Sequence, residues 1–122
     1  MRGLVDALIE SAQEQLETAI YNLKGERYPA AAVWAYQACF TACTALLASK
    51  GVYKGGKTPS HGGTIQLVGK WIARENGARL NELLRLRAQG LYPGHPVITA
   101  EEAKEAVDFA KEFLERIFKF ME

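Results

Sequence analysis

The stretch from Tyr28 to Ser49 constrains the fold most strongly, because its 22 consecutive residues carry no charge. That length exceeds the roughly 18 apolar residues that suggest a membrane-spanning helix. Eight of the 22 residues are alanine, however, and Pro29, Gln37 and Thr41 interrupt the apolar run. The free energy of insertion into a bilayer should therefore be close to zero. A central helix that its neighbours cover on most sides has the same composition. We expect a buried helix here, with a membrane span as the alternative.

Apolar residues on both sides of this stretch also recur at helical spacing. From Leu4 to Ile20 they follow a period near 3.6, which predicts a first helix. Shorter runs over residues 65–72 and 80–87 predict a third and a fourth helix. Gly90 can end the fourth. Thr99 and Glu102 form a T-x-x-E capping box ahead of a fifth. No segment alternates apolar and polar residues for long enough to form a strand. The predicted fold is all-α, an antiparallel up-and-down bundle of four long helices plus one short helix.

Residues 51–58, GVYKGGKT, match the phosphate-loop pattern G-x-x-x-x-G-K-[ST]. Such a loop follows a buried strand and leads directly into a helix, whose backbone N–H groups surround the phosphates. Here the loop follows an alanine-rich helix, and Pro59 disfavours a helical conformation at Thr58. We predict a glycine-rich connection between two helices, on which Lys54 and Lys57 form a local basic patch.

Composition limits the classes of partner. With 15 basic and 14 acidic residues the net charge is +1, so binding of nucleic acid would depend on a local patch. The length predicts a single domain over residues 1–122. The N-terminus carries acids and no long apolar run, so we expect no secretory signal and a cytoplasmic location.

Cys39 and Cys43 lie four residues apart on one predicted helix, which suits neither a disulfide nor a zinc site. We expect two buried thiols, and no metal or other cofactor.

Several short motifs occur in a distinctive order along nearly the whole chain. An aromatic pair and an A-L-L ending mark the second helix, a glycine turn and a loop lead to a histidine, and an Arg-then-Tyr element follows a leucine-rich helix. These residues are Tyr36 and Phe40, Ala45 to Leu47, Gly51, His61, and Arg87 with Tyr92. In this order they resemble the HEPN domain ("higher eukaryotes and prokaryotes nucleotide-binding"), and in particular its small stand-alone prokaryotic members.

The resemblance implies a helical bundle that forms homodimers and binds a nucleotide or RNA. It also implies a minimal nucleotidyltransferase as partner, in a toxin–antitoxin-like pair. Many family members are metal-independent ribonucleases with an R-x4-6-H motif, in which Arg holds the phosphate and His moves a proton. Here Tyr92 stands where that histidine is expected, and tyrosine is a poor base at neutral pH. The resemblance therefore implies a binding module first, with a ribonuclease that uses Arg87 at a dimer cleft as the alternative.

The candidate site residues each have a structural alternative. Arg87 falls on the apolar side of its helix, where a charge needs a partner acid, a dimer cleft or a phosphate. His61 lies near the start of the third helix, which Ser60 can cap, and either packs or faces a ligand. Tyr36 and Phe40 belong to the core or to a dimer surface. The catalytic residues stay open, with Arg87, Tyr92 and His95 as candidates. The candidate ligand-binding residues are Arg87, Tyr92, His61, Arg85, Lys54 and Lys57.

Overall fold

The structure, a computed structural model, describes residues 2–57, 60–71, 74–92, 94 and 97–122, without the side chains of residues 2 and 74–76. The described residues form five helices and no strand. The helices are α1 (Arg2–Lys24), α2 (Tyr28–Ser49), α3 (His61–Trp71), α4 (Arg74–Leu91) and α5 (Ala100–Met121). Four of them have 18 to 23 residues and α3 has 11. The predicted all-α bundle of four long helices and one short helix is confirmed.

Helix α2 lies at the centre of the bundle and packs against each of the other four helices. All of its side chains from Ala38 to Ala48 are buried. In the described part of the chain, α2 is also the one helix that is long and apolar enough to cross a membrane. The neighbouring helices nevertheless bury 78% of its apolar window. This burial is what its charge-free, alanine-rich sequence predicts for a central helix.

A glycine sets how closely α4 approaches α2, to which it runs antiparallel. A Cβ atom on Gly90 would lie 2.9 Å from Val33 Cγ2 and 3.1 Å from the carbonyl oxygen of Pro29. Only glycine fits this contact without a shift of its neighbours. The expected role of Gly90 as the stop of the fourth helix is wrong, because α4 continues through it to Leu91.

Helix ends follow recognisable chemistry. The predicted capping box is confirmed at the start of α5, where the Glu102 backbone N–H donates to Thr99 Oγ1 at 3.1 Å and the Thr99 N–H donates to Glu102 Oε1 at 3.0 Å. At the end of α2, Gly51 takes a φ of 77° and the Val52 N–H donates to the Leu47 carbonyl at 2.9 Å. These two features form a Schellman motif.

The end of α1 has the same motif with a less suitable residue. Glu26, rather than the neighbouring Gly25, takes the left-handed conformation, with a φ of 59°. Its N–H donates to the Leu23 carbonyl at 3.0 Å, and the Arg27 N–H donates to the Asn22 carbonyl at 2.9 Å. A side chain in this conformation costs roughly 1–2 kcal/mol relative to the right-handed one.

The segment that matches the phosphate-loop pattern connects two helices, as predicted. It follows α2 instead of a strand. Ser60 precedes α3, and its Oγ accepts a hydrogen bond from the Gly63 backbone N–H at 3.2 Å, so that Ser60 caps this helix. The connection therefore serves to bring His61, the first residue of α3, back onto the central helix.

Candidate functional site

His61 lies against two aromatic residues of α2. Its Nδ1 is hydrogen-bonded to the Tyr36 hydroxyl, and its ring stacks on Phe40 with the ring centroids 4.2 Å apart. Tyr36 and Phe40 are four residues apart on one helix, so their side chains share a face, and their own ring centroids are 6.1 Å apart. We call Tyr36, Phe40 and His61, together with Arg87, the His61 cluster.

Arg87 joins the cluster from α4. Its Cζ lies 5.9 Å from the centroid of the Tyr36 ring, a separation at which a cation is attracted to an aromatic face. The side chain is half-buried, beside the buried Leu83 and Leu86. No carboxylate oxygen among the described residues lies within 4.0 Å of the Arg87 guanidinium. The expected partners of this charge were an acid, a dimer cleft or a phosphate. Among the described residues, no acid takes that role.

Burial and charge set the protonation of the two polar groups that meet in the cluster. Burial raises the pKa of the Tyr36 phenol well above its usual value of 10, so the phenol keeps its hydrogen at neutral pH. Burial, and secondarily the positive charge of Arg87, lower the pKa of His61 from 6.5. The imidazole is therefore neutral at pH 7.

The hydrogen bond also fixes which nitrogen of His61 carries the hydrogen. Among the described residues, His61 Nδ1 is the one hydrogen-bond partner of the Tyr36 hydroxyl. A buried hydroxyl that keeps its hydrogen needs an acceptor, so we assign Tyr36 as the donor and Nδ1 as the acceptor. The neutral ring then carries its hydrogen on Nε2. His61 accordingly has an N–H group on Nε2, and Arg87 has a guanidinium, as the hydrogen-bond donors of the cluster.

The other predicted site residues lie apart from the cluster. Arg85 is exposed, donates a hydrogen bond to Gln89, and lies 3.9 Å from a carboxylate oxygen of Glu82. Tyr92 is 57% exposed, and among the described residues the aromatic ring that the Arg87 guanidinium lies over is that of Tyr36, not that of Tyr92. His95 lies outside the described residues.

The two lysines of the glycine-rich loop are exposed. Lys57 lines a cavity of about 330 Å³ next to the start of α3, together with Ser60 and Gly63. Lys54 forms no ion pair with another described residue. The loop leads to His61, and among the described residues no ion pair or hydrogen bond joins either lysine to the His61 cluster.

The cysteines form no part of this site. Cys39 and Cys43 are free and buried in α2, and burial raises the pKa of both thiols, so both stay protonated and unreactive at neutral pH. Within the described ranges, no group of three or more His, Cys, Asp and Glu side chains could hold a metal ion.

Comparison with known families adds the decisive observation. A model of the HEPN domain matches residues 5–120, which is nearly the whole chain. The chain belongs to the HEPN family. Among curated proteins, none matches this HEPN protein. The resemblance predicted from the order of its motifs is confirmed, and HEPN proteins are generally associated with nucleotides or RNA.

In this HEPN protein the His61 cluster combines two predicted ligand-binding residues with two that sequence reasoning assigned elsewhere. Arg87 and His61 were candidates for a site, whereas Tyr36 and Phe40 were expected in the core or at a dimer surface. Both aromatic residues are buried, but they also position His61. Their spacing of four residues, opposite a histidine at a helix start, is the signal that could have indicated this role.

Proposed function

We propose that this HEPN protein is a dimeric binding module for a nucleotide or RNA, and that Arg87 and His61 bind a phosphate group. The half-buried guanidinium of Arg87 carries the proposal, since no carboxylate among the described residues lies beside it. A cation partly removed from water is stabilised by a nearby anion. Phosphate suits arginine because its oxygens match the planar fork of N–H donors. Membership of the HEPN family supports the same class of ligand.

His61 is better suited to binding than to proton abstraction. With its hydrogen on Nε2, the ring can donate to a phosphate oxygen. A general base would instead need the lone pair of that nitrogen, and the hydrogen bond from Tyr36 to Nδ1 favours the opposite tautomer. These features support a module that holds phosphate without cleaving it.

Lys54 and Lys57 support the proposal through their charge. Both are exposed on the loop that leads to His61, so their charges attract an anion from a distance. Dissolved salt weakens this attraction, because at 0.1 M it screens charges that are more than about 10 Å apart. Arg85 is already paired with Glu82 and Gln89. We therefore expect Arg85 to contribute much less than Arg87.

The test compares RNA binding by the wild type, Arg87→Gln and Arg85→Gln. Fluorescence anisotropy with a labelled single-stranded RNA, at two salt concentrations, measures both affinity and its salt dependence. Arg87→Gln should bind more weakly, and the slope of log K against log salt should fall by about 1. Arg85→Gln controls for the loss of one positive charge from the same helix. Equal affinities for the wild type and Arg87→Gln would refute the proposed site.

We further propose that the exposed apolar side chains around Gly90 form the surface for the second copy or for a nucleotidyltransferase partner. Trp34, Leu91, Tyr92 and Val97 are exposed by 38%, 46%, 57% and 85%. Trp34, Leu91 and Val97 are the sequence neighbours of Val33, Gly90 and Ile98, which meet where the start of α2 approaches the end of α4. Tyr92 follows Leu91. Exposed apolar groups of this size commonly mark an interaction surface.

Light scattering and co-purification test this surface. The wild type should have the mass of a dimer, and Val97→Asp should shift it toward the monomer, because a charge would be buried in the interface. A nucleotidyltransferase encoded beside this chain should co-purify with it as a toxin–antitoxin-like pair. A monomeric wild type that captures no such protein would contradict both parts of this proposal.

A metal-independent ribonuclease that uses Arg87 at a dimer cleft is the second candidate. The observation that favours it is that Arg87 lies near enough to His61 for its charge to help lower the pKa of the imidazole, since a guanidinium and an imidazole can both act on a phosphodiester. Incubation of RNA with the wild type and with Arg87→Gln decides between the two functions. Cleavage by the wild type alone would establish the enzyme, whereas cleavage by both proteins would indicate contamination.

A further inference from the structure

The protein covers one face of the His61 ring. Phe40 stacks on that face, with the ring centroids 4.2 Å apart and the ring planes 22° from parallel. Tyr36 instead meets the edge of the imidazole, because its hydroxyl is hydrogen-bonded to Nδ1. The centroid of the Tyr36 ring lies 5.5 Å from that of His61 and 6.1 Å from that of Phe40. Rings on opposite faces of the imidazole would lie much further apart, so these two residues leave its second face uncovered.

No aromatic ring or cation among the described residues lies over the second face of His61. The Arg87 guanidinium lies over the Tyr36 ring instead, 5.9 Å from its centroid. Gly62 and Gly63, which follow His61, are exposed and have no side chain to place beside the imidazole. A Cβ atom on Gly62 would meet nothing within 4 Å. Since His61 is half-buried, its solvent-exposed part is this second face together with the Nε2 edge.

A free aromatic face suits a nucleobase. Histidine is one of the side chains on which proteins stack unpaired bases, and a base here would continue the stack that Phe40 and His61 form. Stacking uses the direction perpendicular to the ring, whereas the Nε2–H donates a hydrogen bond in the ring plane. One imidazole can therefore hold a phosphate at its edge and a base on its face.

We infer that the base of the nucleotide or RNA residue whose phosphate binds Arg87 and His61 stacks on the second face of the His61 ring. This inference rests on the proposed function, and it specifies a ligand that carries a base rather than a sugar phosphate alone. Every base has an aromatic face, so stacking tolerates all of them. The site should therefore require a base and select only weakly among bases.

Isothermal titration compares adenosine monophosphate with ribose 5-phosphate, which carries the same phosphate group and no base. The wild type should bind the nucleotide more tightly by about fivefold or more, the gain expected from one base stacked on an aromatic ring. His61→Asn keeps an N–H donor and removes the ring, so it should abolish this preference. His61→Phe keeps a ring without the N–H, so it should bind both ligands more weakly and retain the preference. Tyr21→Ala, which removes an aromatic ring that is 75% exposed on α1, should bind as the wild type does.

Short oligoadenylate and an abasic strand of equal length form a second arm. A preference confined to these strands would support the inference with RNA as the source of the base, and one confined to the mononucleotides would support it with a free nucleotide. In NMR spectra, adenosine monophosphate should shift the signal of the His61 Cε1 proton, through the ring current of the stacked base, much more than ribose 5-phosphate does. Equal shifts would contradict stacking on His61.

The outcomes separate this inference from the proposed phosphate site. Equal affinity of the wild type for the nucleotide and the sugar phosphate, or a preference that survives His61→Asn, would overturn stacking on His61. If that binding still weakened in Arg87→Gln, the phosphate site would stand without the base site. Binding of both ligands that is unaffected by Arg87→Gln would remove the proposed function instead.

Discussion

Tyr36 and His61 are 25 residues apart in the sequence, and a hydrogen bond joins the phenol of one to Nδ1 of the other. The bond links the centre of α2 to the first residue of α3. It therefore has two roles, because it satisfies a buried hydroxyl and it fixes the tautomer of the histidine next to Arg87. Both roles can be tested separately.

Tyr36→Phe removes the hydroxyl and keeps the ring. We expect a loss of about 1 kcal/mol in the free energy of unfolding, the typical contribution of one hydrogen bond. Urea denaturation measures this loss, and Tyr21→Phe, at a residue that is 75% exposed, should cost far less.

In ¹⁵N spectra, His61 should carry its hydrogen on Nε2 in the wild type and populate both tautomers in Tyr36→Phe. Observation of the hydrogen on Nδ1 in the wild type would contradict the assignment.

The pKa of His61 predicts how stability depends on pH. In the folded state this pKa is lowered, by burial and by Arg87, so between it and the unfolded value of about 6.5 the unfolded chain binds more protons. Stability should be complete above about pH 6.5 and should fall as the pH drops through the folded pKa.

Chemical denaturation at about pH 7.5 and about pH 5.5 measures this effect in the range where histidine titrates. The comparison is between His61 and His61→Asn, both in a His95→Gln background, so that the second histidine does not contribute. The variant with Asn at position 61 should lose less stability on acidification. Identical losses in the two proteins would show that His61 titrates normally.

Gly90→Ala should destabilise the protein by roughly 1–3 kcal/mol, because the added methyl group would collide with Val33 and with the backbone of Pro29. Gly62→Ala is the matched control, since a Cβ atom there meets nothing within 4 Å. Alanine also favours the helix over glycine by up to about 1 kcal/mol. Thermal unfolding should therefore rank Gly62→Ala at or above the wild type and Gly90→Ala below it. Equal melting temperatures for the two variants would show that α4 can move away from α2 at little cost.

Glu26→Gly should stabilise the protein by about 1 kcal/mol, because glycine adopts the left-handed conformation at the end of α1 without the steric penalty of a side chain. Glu26→Ala removes the same charge and keeps the Cβ atom, so it should leave the free energy of unfolding nearly unchanged. Urea denaturation of the three proteins provides the measurement. A gain in both variants would instead implicate the charge of Glu26.

The sequence predicted the helices because each one has a strong local signal. The charge-free run identified α2, and Thr99 with Glu102 marked the start of α5. Helix ends were less predictable where two residues compete for one role. Gly25 precedes Glu26, yet the hydrogen bonds of the Schellman motif place Glu26 in the left-handed conformation. Gly90 looks like a helix stop, although it serves the contact between α4 and α2.

The site was less predictable than the fold, because it depends on contacts across three helices. The position of Arg87 on the apolar side of α4 follows from helical periodicity. The partners of its charge do not, since they depend on how α4 packs against α2. Likewise no local pattern specifies the path of the connection that brings His61 onto Tyr36 and Phe40.

Because α3 is short, the contacts of the His61 cluster also affect the stability of this helix. A helix of 11 residues is marginal by itself, and its first residue is held to α2 by the contacts of His61. A phosphate bound between His61 and Arg87 would connect α3 to α4 as well. Binding and local unfolding of α3 would then be linked equilibria, so that ligand slows amide hydrogen exchange in α3 and leaves α1 unaffected. The order of this one helix would report whether the site is occupied.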